Sequence, residues 1–226
     1  MMIETENLTK RYGERTVFRD LNLHFQRGNI YMITGPSGGG KSSLLNILGL
    51  LDDRFDGVCT FCGRDVKQMT DREKSRIRGG QIGYIFQNFN LIEELSILDN
   101  LMLPWLYSDR KDYTYFRERA AGLAAQFGIR DIETAKARTL SGGGQQRIAA
   151  ARALLADPPV ILADEPTGNL DSANAGIVMD CLYRQKQRNR LVIVVTHDDR
   201  LLPLADAVTE LHGEPQEENG SLTNML

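Results

Sequence analysis

Residues 35–42 read Gly-Pro-Ser-Gly-Gly-Gly-Lys-Ser, which fits the phosphate-loop pattern G-x-x-x-x-G-K-[ST]. Residues 30–34 form a short apolar run before this loop, and residues 41–50 have a helical pattern after it. Glycines let backbone N–H groups turn inward around an anion, and the start of the following helix adds the positive end of its dipole. The alternative is an ordinary strand-to-helix turn. Since the expected strand and helix flank the loop, the sequence favours a phosphate site on an α/β fold.

Two further apolar runs, residues 159–163 and 191–195, resemble the run before the loop. All three are short, rich in β-branched residues and without alternation, as in strands buried on both faces of a parallel sheet. Helical patterns at residues 145–156 and 173–188 separate them. Strands alternating with helices predict a doubly wound α/β core, in which ligands bind at the carboxyl ends of the strands.

The rest of the chain has different patterns. Short alternating stretches at residues 16–18, 21–25 and 58–61 predict antiparallel strands beside the core. Residues from about 91 to 140 predict a helical insert, and the polar tail at 213–226 is expected to be poorly ordered. We therefore expect one domain over residues 1–226, with its core formed by residues 1–90 and 141–212.

Composition excludes several classes of protein. With 226 residues and 42% hydrophobic content, the chain is neither a disordered tail nor a small disulfide-stapled domain. The net charge of 27 minus 30, or −3, gives no support to a nucleic-acid binder. Three cysteines fit a reducing compartment, and no run approaches the roughly 20 apolar residues of a spanning helix. We expect a cytoplasmic location, with binding to a membrane protein left open.

The loop and one strand end supply the main candidate chemical groups. Lys41 would neutralise the β and γ phosphates, and the Ser42 hydroxyl would bind Mg²⁺. Asp164 and Glu165 follow a buried strand. We assign Asp164 to the metal and Glu165 to the attacking water. A solvated acidic strand end is the alternative for this pair.

Three single residues are weaker candidates. His197 follows the third buried run, where ligands bind in such folds, although a lone histidine is more often structural. Tyr12 precedes a glycine and is able to stack on a base or simply to pack. Gln87 follows the predicted strand at 82–86 and carries an amide oxygen that would reach Mg²⁺ or water.

A second glycine cluster, Leu140-Ser-Gly-Gly-Gly-Gln145, opens a helix. Ser141 is a natural N-cap, and the free N–H groups behind it form a second anion site that would suit the phosphate of a neighbouring subunit. A capped loop with no ligand is the alternative. The motif Cys59-Thr-Phe-Cys62 stands alone, which disfavours a zinc or redox site.

Taken in order, these motifs resemble the nucleotide-binding subunit of ATP-binding-cassette (ABC) transporters. Over residues 12–197 the family motifs are matched by an aromatic A-loop at Tyr12, Walker A at 35–42, a Q-loop at Gln87, a signature at 140–145, Walker B ending at 164–165, a D-loop at 169–171 and an H-loop at His197. The stretches at 164–171, 196–198 and 99–104 are similar to the lipoprotein-releasing, macrolide-efflux and cell-division subfamily, the LolD, MacB and FtsE types.

The resemblance implies a P-loop NTPase (RecA-like) core with an antiparallel β subdomain and a helical insert. It further implies that two subunits pack head to tail when ATP is bound, and that a membrane permease docks on the insert and the Gln87 region. Gln87 would sense the γ-phosphate, His197 would contact it, and Asp171 would tune the facing site. The ATP and Mg²⁺ contacts would come from Tyr12, Gly35, Pro36, Ser37, Gly38, Gly39, Gly40, Lys41, Ser42, Ser43, Ser141, Gly142, Gly143 and Asp171, with Ser42, Gln87 and Asp164 at the metal.

Two positions depart from the family pattern. Gly144 stands where the signature has glutamine, and Ala137 stands near a common proline. Glycine at a helix start loosens the first turn by up to about 1 kcal/mol, so we predict a weaker closed dimer, with restored glutamine making dimerisation easier.

The expected function is ATP hydrolysis that drives a permease, on the inner face of the cell membrane. The subfamily points to export, lipoprotein release or mechanical signalling rather than import. A soluble ABC ATPase without a membrane partner and a phosphoryl-transfer kinase remain as alternatives, and no nucleic-acid partner is expected.

Overall fold

The computed structural model describes residues 2–108, 112–168 and 170–212. The strands in these ranges are β1 (Ile3–Tyr12), β2 (Arg15–Phe25), β3 (Ile30–Thr34), β4 (Asp56–Phe61), β5 (Arg64–Asp65), β6 (Ile82–Ile85), β7 (Val160–Asp164), β8 (Leu191–Val195) and β9 (Ala207–Glu210). The α-helices are α1 (Lys41–Leu48), α2 (Asp71–Gly80), α3 (Ile97–Tyr107), α4 (Tyr113–Gln126), α5 (Gly142–Ala153) and α6 (Ser172–Gln187). Short 3-10 helices cover Val66–Gln68, Ala137–Thr139 and Asp199–Leu204.

A five-stranded parallel sheet forms the centre of the fold, in the order β6-β7-β8-β3-β9. Every residue of β7 and β8 is buried, which explains why these runs are apolar without alternation. Because the strands are parallel, their carboxyl ends lie at one edge of the sheet. This edge carries the phosphate loop after β3, the carboxylates at the end of β7 and His197 after β8.

A second, antiparallel sheet has the order β2-β1-β4-β5. Its long strands β1 and β2 pair from Ile3 opposite Phe25 to Tyr12 opposite Arg15. The tight connection between them brings Tyr12 to the end of the hairpin. Together the two sheets and the helices confirm the predicted α/β fold with an antiparallel part.

The parallel sheet separates two hydrophobic cores. Alternate residues of β7 point into different cores, with Ile161 and Ala163 on one face and Val160 and Leu162 on the other. The first core is completed by α3, α4, α5 and α6, and the second by α1 and the antiparallel sheet. Both faces are therefore covered, as a parallel sheet requires.

Side-chain caps set the start of most helices. Thr70 and Glu73 form a capping box on α2, and Ser96, Ser141 and Asp171 accept N–H bonds at the starts of α3, α5 and α6. Among the α-helices of the described residues, α1 alone begins without a side-chain cap, at Gly40. Its first N–H groups are consequently left for another acceptor.

Several predicted boundaries were wrong. The helical pattern predicted at 145–156 is helix α5, Gly142–Ala153, which begins directly after the predicted cap Ser141 and ends three residues earlier than the pattern. Strand β6 ends at Ile85, so Gln87 lies in a turn beyond the strand. The stretches at 16–18 and 21–25 are one continuous strand, β2. Helix α2 and strand β9 were not predicted, because neither has a strong apolar pattern.

The division into core and insert stays a prediction. Helices α3 and α4 lie in the range predicted as the insert, and α3 packs on both α4 and α5. Residues 109–111 and the tail at 213–226 lie outside the described residues. No helix in the described ranges combines the length and apolar character needed to cross a bilayer.

Candidate active site

The loop between β3 and α1 has the geometry of an anion cradle. Gly40 adopts φ 91°, and a Cβ at this position would lie 2.3 Å from a Val17 methyl carbon, so only glycine fits. The Lys41 ammonium donates hydrogen bonds to the carbonyls of Gly35 at 2.8 Å and Pro36 at 2.9 Å. With an uncapped helix start beside it, the loop presents a cation and free backbone donors to one point.

A cavity of about 420 Å³ opens beside this loop. The sequence-predicted residues that line it are Tyr12, Ser37, Gly38, Gly40, Lys41, Ser42, Ser43, Gln87, Asp164, Glu165 and His197. They come from both sheets, the phosphate loop and the turn after β6. Gly35, Pro36 and Gly39 belong to the same loop but do not line the cavity. The cavity also contains Arg15 and Val17, which sequence reasoning missed because neither belongs to a motif.

Asp164 is the last residue of β7 and is almost fully buried. Burial raises the pKa of its carboxyl, and the neighbouring Glu165 charge adds to this, while the Ser42 hydroxyl bond and the Lys41 charge oppose it. The buried Oδ1 atom has no hydrogen-bond partner among the described residues. A buried carboxylate oxygen without a partner is costly, and a cation would satisfy it.

Magnesium suits this arrangement. Ser42, Asp164 and Gln87 line the same cavity, and the Ser42 hydroxyl acts on the Asp164 carboxyl to lower its pKa. Mg²⁺ prefers oxygen ligands, and in nucleotide sites it binds through one or two carboxylates together with substrate phosphates and water. The donor types present therefore fit the ion when phosphates supply the remaining ligands.

Glu165 and His197 form a bonded pair at the same edge. Glu165 is buried and holds a left-handed backbone with φ 46°, an uncommon conformation for a residue other than glycine. Its carboxylate Oε1 lies 2.8 Å from His197 Nδ1, and the His197 backbone N–H points to Oε2 at 3.4 Å. The pair fixes where the carboxylate points, while 69% of the histidine side chain stays exposed toward the cavity mouth.

Tyr12 lies on the opposite wall, at the end of β1. Tyr12 is 52% exposed, so its side chain has surface available for stacking on a flat ligand. The hydroxyl lies 3.3 Å from Ser43 Oγ on α1, and the Lys10 ammonium lies 4.6 Å from the ring centroid. These contacts hold the ring near the phosphate loop without covering it.

The second glycine cluster does not share this cavity. Ser141 Oγ accepts a 3.3 Å bond from the Gly144 N–H, which confirms Ser141 as the N-cap of α5. Asp171 caps α6 by accepting from the Asn174 N–H at 2.8 Å, and this bond holds the pKa of Asp171 below its usual range. A Cβ at Gly143 would lie 3.4 Å from Leu170, so the predicted D-loop is beside the glycine cluster. Asn169 of that loop is outside the described residues.

Gly144 has less free space around it than the predicted loosening of the first helical turn implies. It is buried inside α5, and a Cβ there would lie 3.1 Å from Leu140 Cβ. Replacing the glycine would thus displace Leu140 by a few tenths of an ångström. Ala137, the other departure, is fully buried at the start of a short 3-10 helix.

The cysteines are free and separate. Cys59 is buried in β4, where burial raises its pKa to about 12, and Cys62 is exposed in the following turn. In the described part of the chain, no group of three or more His, Cys, Asp or Glu side chains is arranged to hold a metal.

Comparison with known proteins places this geometry in a family. The family described as ABC transporter matches residues 18–168. The ABC transporter ATP-binding protein MJ1508 of Methanocaldococcus jannaschii is 42% identical over 93% of this chain and 95% of its own length. The macrolide export ATP-binding/permease protein MacB of Chlorobaculum tepidum is 39% identical over 92% of this chain. The chain spans about a third of that protein, since the match covers 32% of it.

The solved structures agree with the sequence comparisons. The ATP-binding cassette MJ0796, in a dimeric post-hydrolysis state bound to ADP and phosphate, superposes with a TM-score of 0.87. It is 36% identical, and the match covers 93% of this chain and 94% of that one. The chain therefore belongs to the ABC transporter family and is an ATP-binding cassette of the MacB, LolD and FtsE type.

Proposed function

We propose that this chain hydrolyses ATP and uses dimer closure to drive a separate membrane permease. The observation that carries the proposal is the convergence in one cavity of a phosphate loop, an unpartnered buried carboxylate and a bonded Glu–His pair. These groups come from three different segments of the chain, residues 35–42, 164–165 and 197. Their meeting at one sheet edge supplies phosphate binding, metal binding and water activation together.

In this scheme the triphosphate lies along the phosphate loop, with Lys41 and the first N–H groups of α1 at its oxygens. The adenine stacks on the exposed face of Tyr12. Ser42, Asp164 and Gln87 would hold Mg²⁺, which when bound neutralises the charge that develops on the phosphates. The Glu165 carboxylate accepts a proton from the attacking water, and His197 keeps it aimed at the γ-phosphate.

The signature loop points to a second copy of the chain. Ser141, Gly142 and Gly143 lie outside the cavity, yet they begin a helix and offer backbone donors. A head-to-tail dimer would place these donors, with Asp171 nearby, over the phosphates of the partner. The related cassette MJ0796 is named as a dimer with ADP and phosphate, which supports this arrangement.

A permease partner follows from the relatives. The MacB proteins are named as ATP-binding/permease proteins, and the match to this chain covers 32% to 35% of three of them. We infer that the work is done on a membrane protein, so that the chain acts at the inner face of the cell membrane. Export, lipoprotein release and mechanical signalling all fit this scheme.

The hydrolysis and dimer are tested together with the Glu165→Gln variant. It should bind ATP like the parent but accumulate as a dimer in size-exclusion chromatography with Mg²⁺ and ATP, because the amide cannot accept the proton. Lys41→Ala, with its phosphate counter-charge removed, is the matched control and should stay monomeric. A Glu165→Gln protein that stays monomeric at saturating ATP would contradict the dimer scheme.

The acceptor and the partner need separate measurements. Release of inorganic phosphate that contains oxygen from isotope-labelled water would support hydrolysis. Transfer of the phosphoryl group to a small molecule, without that label, would support a kinase. Tagged chain purified from membranes should retain an integral membrane protein, identified by mass spectrometry. Recovery from the soluble fraction alone would favour an ABC ATPase without a membrane partner.

A further inference from the structure

Arg152 is a buried arginine near the end of α5. Only 8% of its surface is exposed to solvent. Burial lowers the pKa of its guanidinium to about 10, and no carboxylate in the described part of the chain lies within ion-pair distance. A buried cation normally has a charged partner. Its hydrogen bonds therefore deserve an explanation other than charge pairing.

Both acceptors are main-chain carbonyls of one turn. Nη1 donates to the Asn90 carbonyl at 2.6 Å, and Nη2 donates to the Phe89 carbonyl at 2.7 Å. The planar fork of arginine matches two adjacent acceptors in a way that a lysine ammonium does not. The guanidinium thus holds two successive peptide groups in a fixed orientation.

That turn has an unfavourable backbone. Phe89 has φ 59° and Asn90 has φ 48°, so two successive residues other than glycine are left-handed. Residues other than glycine are strained in this region and stay there only when the surroundings hold them in place, and an aromatic residue is among the less tolerant types. The Arg152 bonds are directed at the carbonyls of the two strained residues.

The turn lies between the nucleotide cavity and the signature loop. Gln87, which lines the cavity, is two residues before Phe89. On the other side, a Cβ at Gly142 would lie 4.0 Å from the tip of the Phe89 ring. The Phe89 segment therefore contacts the start of α5 through its ring and the end of α5 through Arg152.

We infer that Arg152 is a positioning residue that locks residues 86–90, so that Gln87 is presented to the nucleotide in register with the signature helix. The inference rests on the proposed function, because Gln87 must act on the bound nucleotide. Arg152 itself does not line the nucleotide cavity and acts only through the turn. Without the fork, the strained turn would relax and Gln87 would leave its position.

The test is a double-mutant cycle between Arg152→Lys and Gln87→Ala. Lysine keeps the charge but loses the two-carbonyl fork, so kcat for ATP should fall about 10- to 100-fold, as expected for a misplaced group. KM for ATP should stay within about twofold, since Arg152 does not touch the nucleotide. The double variant should be no slower than Gln87→Ala, because both changes remove the same contribution.

A purely structural role predicts a different pattern. Arg119→Lys is the control, since Arg119 also donates to two carbonyls, those of Leu154 and Leu155, and to the Asp157 carboxylate, and none of these acceptors belongs to the turn. It should lower the unfolding midpoint comparably, leave kcat within about twofold and combine multiplicatively with Gln87→Ala. Multiplicative effects of Arg152→Lys and Gln87→Ala would overturn the inference, as would unchanged kcat in Arg152→Lys.

Two further comparisons keep the outcome decisive. If Arg152→Lys does not fold, Arg152→Gln gives the same cycle, since removing a buried charge offsets part of the lost bonding. The parent and Glu165→Gln are assayed alongside. A parent protein without ATPase activity contradicts the proposed function. An active parent in which the effects of Arg152→Lys and Gln87→Ala on kcat multiply contradicts only the role of Arg152.

Discussion

The pair formed by Glu165 and His197 gives the sharpest prediction about the chemistry. Glu165→Gln removes the proton acceptor but keeps the size of the side chain, so kcat should fall about 10²- to 10⁴-fold. Nucleotide affinity should change little, because no predicted phosphate contact is lost.

His197→Ala should have a smaller effect. A hydrogen bond to a charged group contributes about 1.5–3 kcal/mol, or about 10- to 150-fold in rate at 1.36 kcal/mol per decade. Since 69% of the His197 side chain is exposed, solvent competes for the 2.8 Å bond to Glu165. We therefore expect the lower end, about tenfold.

The assay is steady-state phosphate release at saturating Mg²⁺ and ATP, with nucleotide binding and thermal unfolding measured on the same samples. If His197 acts by aiming Glu165, the double variant should match Glu165→Gln within about twofold. His212→Ala is the control, because His212 lies 3.7 Å from Glu210 in an exposed pair that does not line the cavity. Near-parental turnover of Glu165→Gln would refute its assignment as the base, and multiplicative losses in the double variant would refute the aiming role.

Three further predictions address the binding site, acid stability and the signature helix. Lys41→Ala should reduce ATP affinity or turnover steeply and Tyr12→Ala more modestly, as titration with a fluorescent nucleotide and phosphate release will show; parental values for Lys41→Ala would disprove the phosphate-loop assignment. Burial alone would raise the pKa of Asp157, but a hydrogen bond and charges from three arginines lower it overall; its stabilisation is therefore present above the unfolded pKa of about 3.9 and lost as pH falls through the folded value. Asp157→Asn should accordingly lower the free energy of unfolding in urea at pH 7, by about 1 kcal/mol or less, with a smaller difference at pH 3; an equal difference at both would contradict this. Gly144→Gln should change that free energy by under about 0.5 kcal/mol, because the helix-propensity gain is offset by displacement of Leu140; sizing with ATP then tests whether dimerisation still becomes easier.

Local sequence was enough to predict the elements that carry the chemistry. Buried parallel strands must be apolar on both faces, so the runs at β3 and β8 were predicted at Ile30–Thr34 and Leu191–Val195, as observed. The phosphate loop could be predicted because its motif is contiguous in the sequence, and because its positive φ angles, such as 91° at Gly40, favour glycine. The Ser141 cap could also be predicted from local sequence, because the capping hydrogen bond spans only three residues.

Other features depend on contacts between distant segments. The bond between Glu165 and His197 joins residues 32 positions apart, and the Arg152 bonds to the Phe89 turn join residues more than 60 apart. Hydrophobic periodicity and short motifs describe neighbouring residues, so neither predicts how close two such distant groups lie in the fold. The contact that a Cβ at Gly144 would make with Leu140 spans only four residues, but it was not predicted either, because it depends on where the Leu140 side chain lies.

The sequence by itself therefore determined the fold class, the phosphate loop and the identity of the groups at the strand ends. These follow from short-range sterics, hydrogen bonding and the burial of consecutive strand residues. Only the tertiary structure decided that Tyr12 of one sheet and Asp164 of the other line one cavity, and that Ser141 does not. The core that α1 shares with residues of both sheets makes that decision, because it joins the antiparallel sheet to the parallel one and so brings the end of β1 to the phosphate loop.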